Sequence, residues 1–131
     1  MIGVDTNVLV RHLTQDDGAQ AARASKFIER TLTPAAPGFI SIVTVMETVW
    51  VLERAYRFAA AEIAAAVEGV LAADTLIVER EEQVFEAASA MVESGAYCAD
   101  ALVASLCHRA GCARVMTFDR KTARLPGFEL L

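Results

Sequence analysis

The chain has 131 residues, 55% of them hydrophobic, and a net charge of −5 from twelve basic and seventeen acidic side chains. That length buries the core of one ordinary domain, and no apolar run is long enough to cross a bilayer. No charged segment leading into an apolar stretch and a cleavage site opens the chain, so no secretory signal is expected and the cytoplasm is the expected location.

Ile2 to Val4 predict a short strand that ends at Asp5, followed by a short helix over Thr6 to Leu13. Asp16-Asp17-Gly18 reads as a turn and N-cap. A helix is expected from about Ala19 to Leu32, with Ala21, Ala24, Phe27, Ile28 and Leu32 as its apolar stripe, stopped by Pro34 and Pro37-Gly38. Phe39-Ile40 is a brief strand closed by Ser41. An apolar helix is expected from Val43 to Tyr56 and another from Ala60 to Ala73, the latter burying Ile63, Ala66, Val67, Val70 and Leu71. Leu76-Ile77-Val78 gives a third strand. A helix over Glu81 to Glu93 carries Val84, Phe85, Ala88, Met91 and Val92 and ends at Gly95. The next, Ala99 to Ala110, ends at Gly111, a natural left-handed cap. Arg114 to Thr117 is a fourth strand and Phe128 to Leu130 a possible fifth. Short apolar strands separated by helices predict an α/β domain spanning 1–131, with a parallel sheet covered on both faces.

Four carboxylates stand where apolar segments meet polar turns or helix starts: Asp5, Glu47, Asp100 and Asp119. An ionised carboxylate at the rim of a core is costly unless something pairs with it. No run of Lys, Arg or His accompanies the four, so the expected partner is a hard divalent cation, Mg²⁺ or Mn²⁺. Ligands of open α/β sheets bind outside the carboxyl ends of the strands. Asp5 and Asp119 end strands, Asp100 precedes the fourth strand by one helix, and Glu47 is expected in the first turn of the helix after the second strand. If those strands are neighbours, all four acids meet at one end of the sheet. A local explanation competes at each position. Asp5, Asn7 and Asp100 suit helix N-caps, Thr44-x-x-Glu47 fits a capping box, and Asp119 suits an Asx-turn.

Charge leaves nucleic acid open. The acidic balance lacks a basic patch, but ten of the twelve cations are Arg, the better bidentate phosphate ligand. Cys98, Cys107 and Cys112, even with His108, lack the paired spacing of a zinc knuckle and are expected to be free thiols, buried or semi-buried. His12 and His108 have no evident nucleophile and orienting acid, which argues against a hydrolytic triad.

Gly3-Val4-Asp5-Thr6-Asn7-Val8-Leu9-Val10, Glu47 in the helix after Ser41, Ala99-Asp100-Ala101-Leu102-Val103-Ala104 and Val115-Met116-Thr117-Phe118-Asp119-Arg120 resemble, in order and spacing, the PIN-domain nucleases. The tail Leu125-Pro126-Gly127-Phe128-Glu129-Leu130 resembles the end of VapC toxins, the ribonuclease half of bacterial toxin–antitoxin pairs. The resemblance covers essentially the whole chain. It implies a PIN-like three-layer α/β fold, a short parallel sheet of four to five strands flanked by helices on both faces. It implies a Mg²⁺- or Mn²⁺-dependent endoribonuclease that cuts by metal-activated water, leaving a 5′-phosphate and a 3′-hydroxyl. It also implies a homodimer held inactive by a small VapB-type antitoxin. Asp5, Glu47, Asp100 and Asp119 take the acidic, metal-binding positions. Thr6, Asn7 and Thr117 lie beside them as orienting groups, and Arg120 and Lys121 are candidates for the RNA backbone. Cys98 and His12 depart from aromatic positions of the family, with Tyr97 a substitute ring for the first. Trp50, Val51 and Tyr56 are expected to help clamp the antitoxin.

Other readings fare less well. A receiver-type signalling domain wants an acidic pair after its first strand and a Lys after its fifth, and an aspartate-nucleophile phosphatase wants Asp-x-Asp where Asp5-Thr6-Asn7 stands. A PIN nuclease of RNA processing and a catalytically silent antitoxin-binding module remain the alternatives.

Overall fold

A computed structural model describes all 131 residues, which divide into two compact units, Met1–Glu81 and Glu82–Leu131. The first unit contains β1 (Ile2–Gly3), α1 (Thr6–Thr14), α2 (Gly18–Lys26), a π turn (Phe27–Thr31), β2 (Gly38–Ile40), α3 (Ile42–Arg54), α4 (Ala60–Ala72) and β3 (Leu76–Val78). The second contains α5 (Glu81–Ser94), which begins at the boundary, then α6 (Cys98–Arg109), β4 (Val115–Thr117), a 3₁₀ turn (Thr122–Arg124) and β5 (Phe128–Leu130). The fold is the expected mixed α/β arrangement of six helices and short parallel strands. No helix is long and apolar enough to cross a membrane.

The strands of the first unit form a parallel sheet in the order β1-β2-β3, with Ile2 opposite Gly38 and Gly38 opposite Leu76. β2 is therefore central, and its residues alternate with the strand period: Gly38 and Ile40 are buried, Phe39 half-buried. Gly38 is required by crowding. A Cβ there would lie 2.7 Å from Leu32 Cδ1, 2.9 Å from Val4 Cγ2 and 3.1 Å from Leu76 Cδ2. Ile77, on the other face of β3, is 45% exposed, so these strands are not apolar on two buried faces as expected. α1 packs on α2 and α3, α3 on α4, and α4 on β3, around Leu9, Ile40, Leu52 and Ile63.

The long helix expected over 19–32 is interrupted. α2 ends at Lys26, and the chain widens into a π turn in which the Leu32 N–H donates to the Phe27 carbonyl at 3.0 Å. Ala21, Ala24, Ile28 and Leu32 still form one buried stripe across the change of pitch.

In the second unit β4 and β5 pair in parallel, Val115 opposite Phe128. The five strands thus pair as a ladder of three and a ladder of two. The buried stripe of α5 is Val84, Ala87, Ala88 and Met91. Phe85 and Val92, expected within it, are each 53% exposed. Gly95 and Gly111 both have positive φ, +69° and +91°, as their positions after α5 and α6 predict. Cys98 is buried, Cys107 half-buried and Cys112 exposed, so only Cys112 departs from the expected burial.

Candidate active site

Asp5 occupies the N-cap position of α1 with extended backbone (φ −82°, ψ 159°), yet its side chain makes no capping hydrogen bond. The capping explanation for this acid therefore fails. Its carbonyl accepts the Val8 and Leu9 N–H groups at 3.1 and 3.2 Å, while its carboxylate is exposed and in no ion pair.

Glu47 is likewise released from its local explanation. The N-cap of α3 is Ser41, whose Oγ accepts the Thr44 N–H at 3.1 Å. The Glu79 carboxylate accepts the Ile42 N–H at 2.8 Å and fixes the same helix start. Glu47 is then the sixth residue of α3, in its second turn rather than its first, too far along to close a capping box. Its Oε2 instead accepts the Thr6 hydroxyl at 2.5 Å. Thr6 is the residue after Asp5, so one hydroxyl ties the start of α1 to the outward face of α3.

In the second unit Asp100 is the third residue of α6, whose N-cap is Tyr97, so it too is not the cap. An acid in the first turn faces the positive end of the helix dipole. Asp100 Oδ2 accepts the Thr122 hydroxyl at 3.3 Å. Asp119 does form the expected turn: its Oδ1 accepts the Lys121 N–H at 2.7 Å and the Thr122 N–H at 3.0 Å. The Thr122 N–H first, then that of Lys121, hold the Asp119 carboxyl below the ordinary carboxylate range. Both bonds fall on Oδ1, leaving Oδ2 to other partners. Thr117 Oγ1 accepts the Asp119 N–H at 3.1 Å, so Thr117 bonds the backbone of the turn.

In the first unit the Thr6 hydroxyl, beside Asp5 in sequence, bonds Glu47 alone, and in the second Thr122 bonds both Asp100 and Asp119. None of the four acids has a Lys, Arg or His within ion-pair distance. In neither unit do three His, Cys, Asp or Glu side chains gather closely enough to hold an ion by themselves. Mg²⁺ takes one or two carboxylates and completes its shell with water and substrate phosphate. Unpaired carboxylates with hydroxyls bonded behind them are a donor set of that chemistry.

Other expected residues fall into three groups. Asn7 and Arg120 are exposed, and neither side chain has a hydrogen-bond partner within the chain. The Lys121 ammonium lies 5.1 Å from the centre of the Tyr97 ring, so it rests on the ring expected to stand in for an aromatic at position 98. Of the residues expected to clamp a partner, Trp50 is 61% exposed, but the Tyr56 hydroxyl is engaged internally, donating to Asp16 and accepting from Arg11 at 3.1 Å. Thr122 and Glu79 were not legible as site residues. Thr122 is one hydroxyl among several, distinguished only by burial, and Glu79 is signalled only by its place after β3.

Residues 2–127 match the family model of the PIN domain. No curated protein matches the chain at a significant level.

Proposed function

Because the chain belongs to the PIN-domain family, whose members are in general metal-dependent nucleases, we propose that it is an endoribonuclease toxin of a toxin–antitoxin pair. In this reading Asp5, Glu47, Asp100 and Asp119 hold Mg²⁺ or Mn²⁺. The observation that carries it is the state of the four acids. All four lack a cationic partner, and three of them are relieved of the helix-capping role that would explain them locally.

A divalent ion bound there supplies Lewis acidity toward the phosphate and makes water a competent nucleophile near neutral pH. The chain's own groups do the positioning. Thr6 holds one Glu47 oxygen, and the other would be available to an ion. Thr122 holds Asp100 and Asp119 together, fixing both carboxylates before substrate arrives. Asn7 and Arg120, both uncommitted, are placed in the sequence to meet the RNA backbone. No side chain acts as a covalent nucleophile. A small VapB-type antitoxin and a homodimeric state complete the proposal. Trp50, exposed one helical turn from Glu47, is the residue available to a partner protein.

The test is cleavage of RNA by the purified chain with Mg²⁺ or Mn²⁺, with and without EDTA, alongside calorimetry of metal binding. Cleavage should require the ion. A folded Asp5→Asn or Asp100→Asn protein that cuts at the wild-type rate would show the assignment to be wrong. Growth arrest on induction, relieved by a small protein encoded next to this gene, separates a toxin from a PIN nuclease of RNA processing.

A further inference from the structure

The first unit contains an open cavity of about 530 Å³ that begins at Gly3 and Asp5 and runs between α1 and α2. That volume is within the range of small-molecule sites, about 300–1,000 Å³. Its lining includes the apolar Val4, Val8, Ala24 and Phe27. Phe27 is the first residue of the π turn, a local widening of the helix that recurs at functional sites.

Two arginines, Arg11 and Arg23, line it in a chain of net charge −5. Arg11 is held in place: its Nε donates to Gln20 at 2.9 Å, and its Nη1 to Asp16 at 3.0 Å and to Tyr56 at 3.1 Å. Arg23 is exposed, with no ion pair or hydrogen bond. Asn7 offers an unengaged amide between Asp5 and the arginines. A cavity lined by an aromatic ring, an unpaired guanidinium and a proposed metal carboxylate offers groups for the base, the phosphate and the cut site of a nucleotide.

We propose that this cavity binds one unstacked nucleotide of single-stranded RNA beside the phosphate that is cut, its base against Phe27 and Val8 and its phosphate on Arg23. The inference rests on the endoribonuclease reading. A base reaches such a cavity only when splayed out of a strand, so single-stranded RNA is bound and duplex refused. Aromatic contact accepts any base, and the polar lining sets the preference.

Arg23→Ala, Arg23→Glu and Phe27→Leu proteins, full-length, are to be compared with wild type for binding of a labelled single strand and of its duplex, in EDTA. Cleavage kinetics and mapped RNA ends follow in Mg²⁺. Losing a charged hydrogen bond to phosphate should weaken single-strand binding about tenfold or more in Arg23→Ala, and further in Arg23→Glu. KM should rise with kcat little changed, and Phe27→Leu should shift the mapped ends. The metal-induced thermal shift should be that of wild type, which a merely structural defect would not preserve. Unchanged single-strand binding in both Arg23 variants overturns the proposal, as does tight binding of polyglutamate in the cavity that RNA does not displace. Failure of wild type to cut any RNA overturns the endoribonuclease reading instead, since the binding comparison in EDTA does not depend on cleavage.

Discussion

Thr6 shows how much one hydroxyl carries. Its 2.5 Å bond to Glu47 restrains a carboxylate on an exposed helix face, where a free glutamate side chain samples many rotamers. Thr6→Val keeps the shape and removes the restraint. We expect cleavage to fall by about 10–100-fold, the usual loss when a ligand's supporting partner is removed, with the melting temperature almost unchanged. Parallel measurements of rate and thermal unfolding check both. Thr48, the next residue along from Glu47, is the opposite case: its hydroxyl is buried and has no hydrogen-bond partner. A buried unsatisfied hydroxyl costs about 1–3 kcal/mol, and valine has the same outline. Thr48→Val should therefore raise the stability read by urea denaturation, and a lower midpoint would mean that the hydroxyl has a role not seen here.

At the scale of elements, β2 depends on the missing side chain of Gly38. Alanine there drives a Cβ against Leu32, Val4 and Leu76, which belong to the core between sheet and helices. Overpacking of this kind costs about 1–3 kcal/mol, so Gly38→Ala should lower the denaturation midpoint by the corresponding amount. The α1–α2 turn is tied by a polar latch in which Asp16 accepts from Arg11, Thr14 and Tyr56. The Tyr56 hydroxyl, ahead of the other partners, holds the Asp16 carboxyl below its ordinary value. A carboxylate with a depressed folded pKa adds stability that is present above the unfolded pKa, near 4, and is lost as pH falls through the folded one. Tyr56→Phe should lower the melting temperature at pH 7 and flatten its decline below pH 4. Melting curves across pH 2–7 measure both parts.

At the scale of the whole molecule, the proposed metal ligands are Asp5, Glu47, Asp100 and Asp119. A ligand bound only by the native state stabilises it by about 2.7 kcal/mol at a hundredfold excess over Kd. Mg²⁺ or Mn²⁺ should thus raise the melting temperature of the wild type, and the rise should be lost in both Asp5→Asn and Asp100→Asn. A rise that survives in either would remove that residue from the proposed ligand set. What the chain itself determined was the order of elements, because alternating apolar runs, glycine stops and strand ends are local signals. All five strands and five of the six helices lie within a few residues of their expected limits, while α2 stops at Lys26 and gives way to the π turn. The positions of the four acids were equally legible, from residue type and spacing. Whether each one caps a helix was not, because a carboxylate beside a helix start reads the same whether it caps the helix or stands free. The tertiary structure decided that, through contacts that include residues distant in sequence. Thr6 reaches Glu47, Glu79 takes over the capping of α3, and Thr122 bridges Asp100 and Asp119. The cavity beside Asp5 belongs to the same class. It exists because α1 and α2 pack against each other, and periodicity along either helix does not encode the gap left between them.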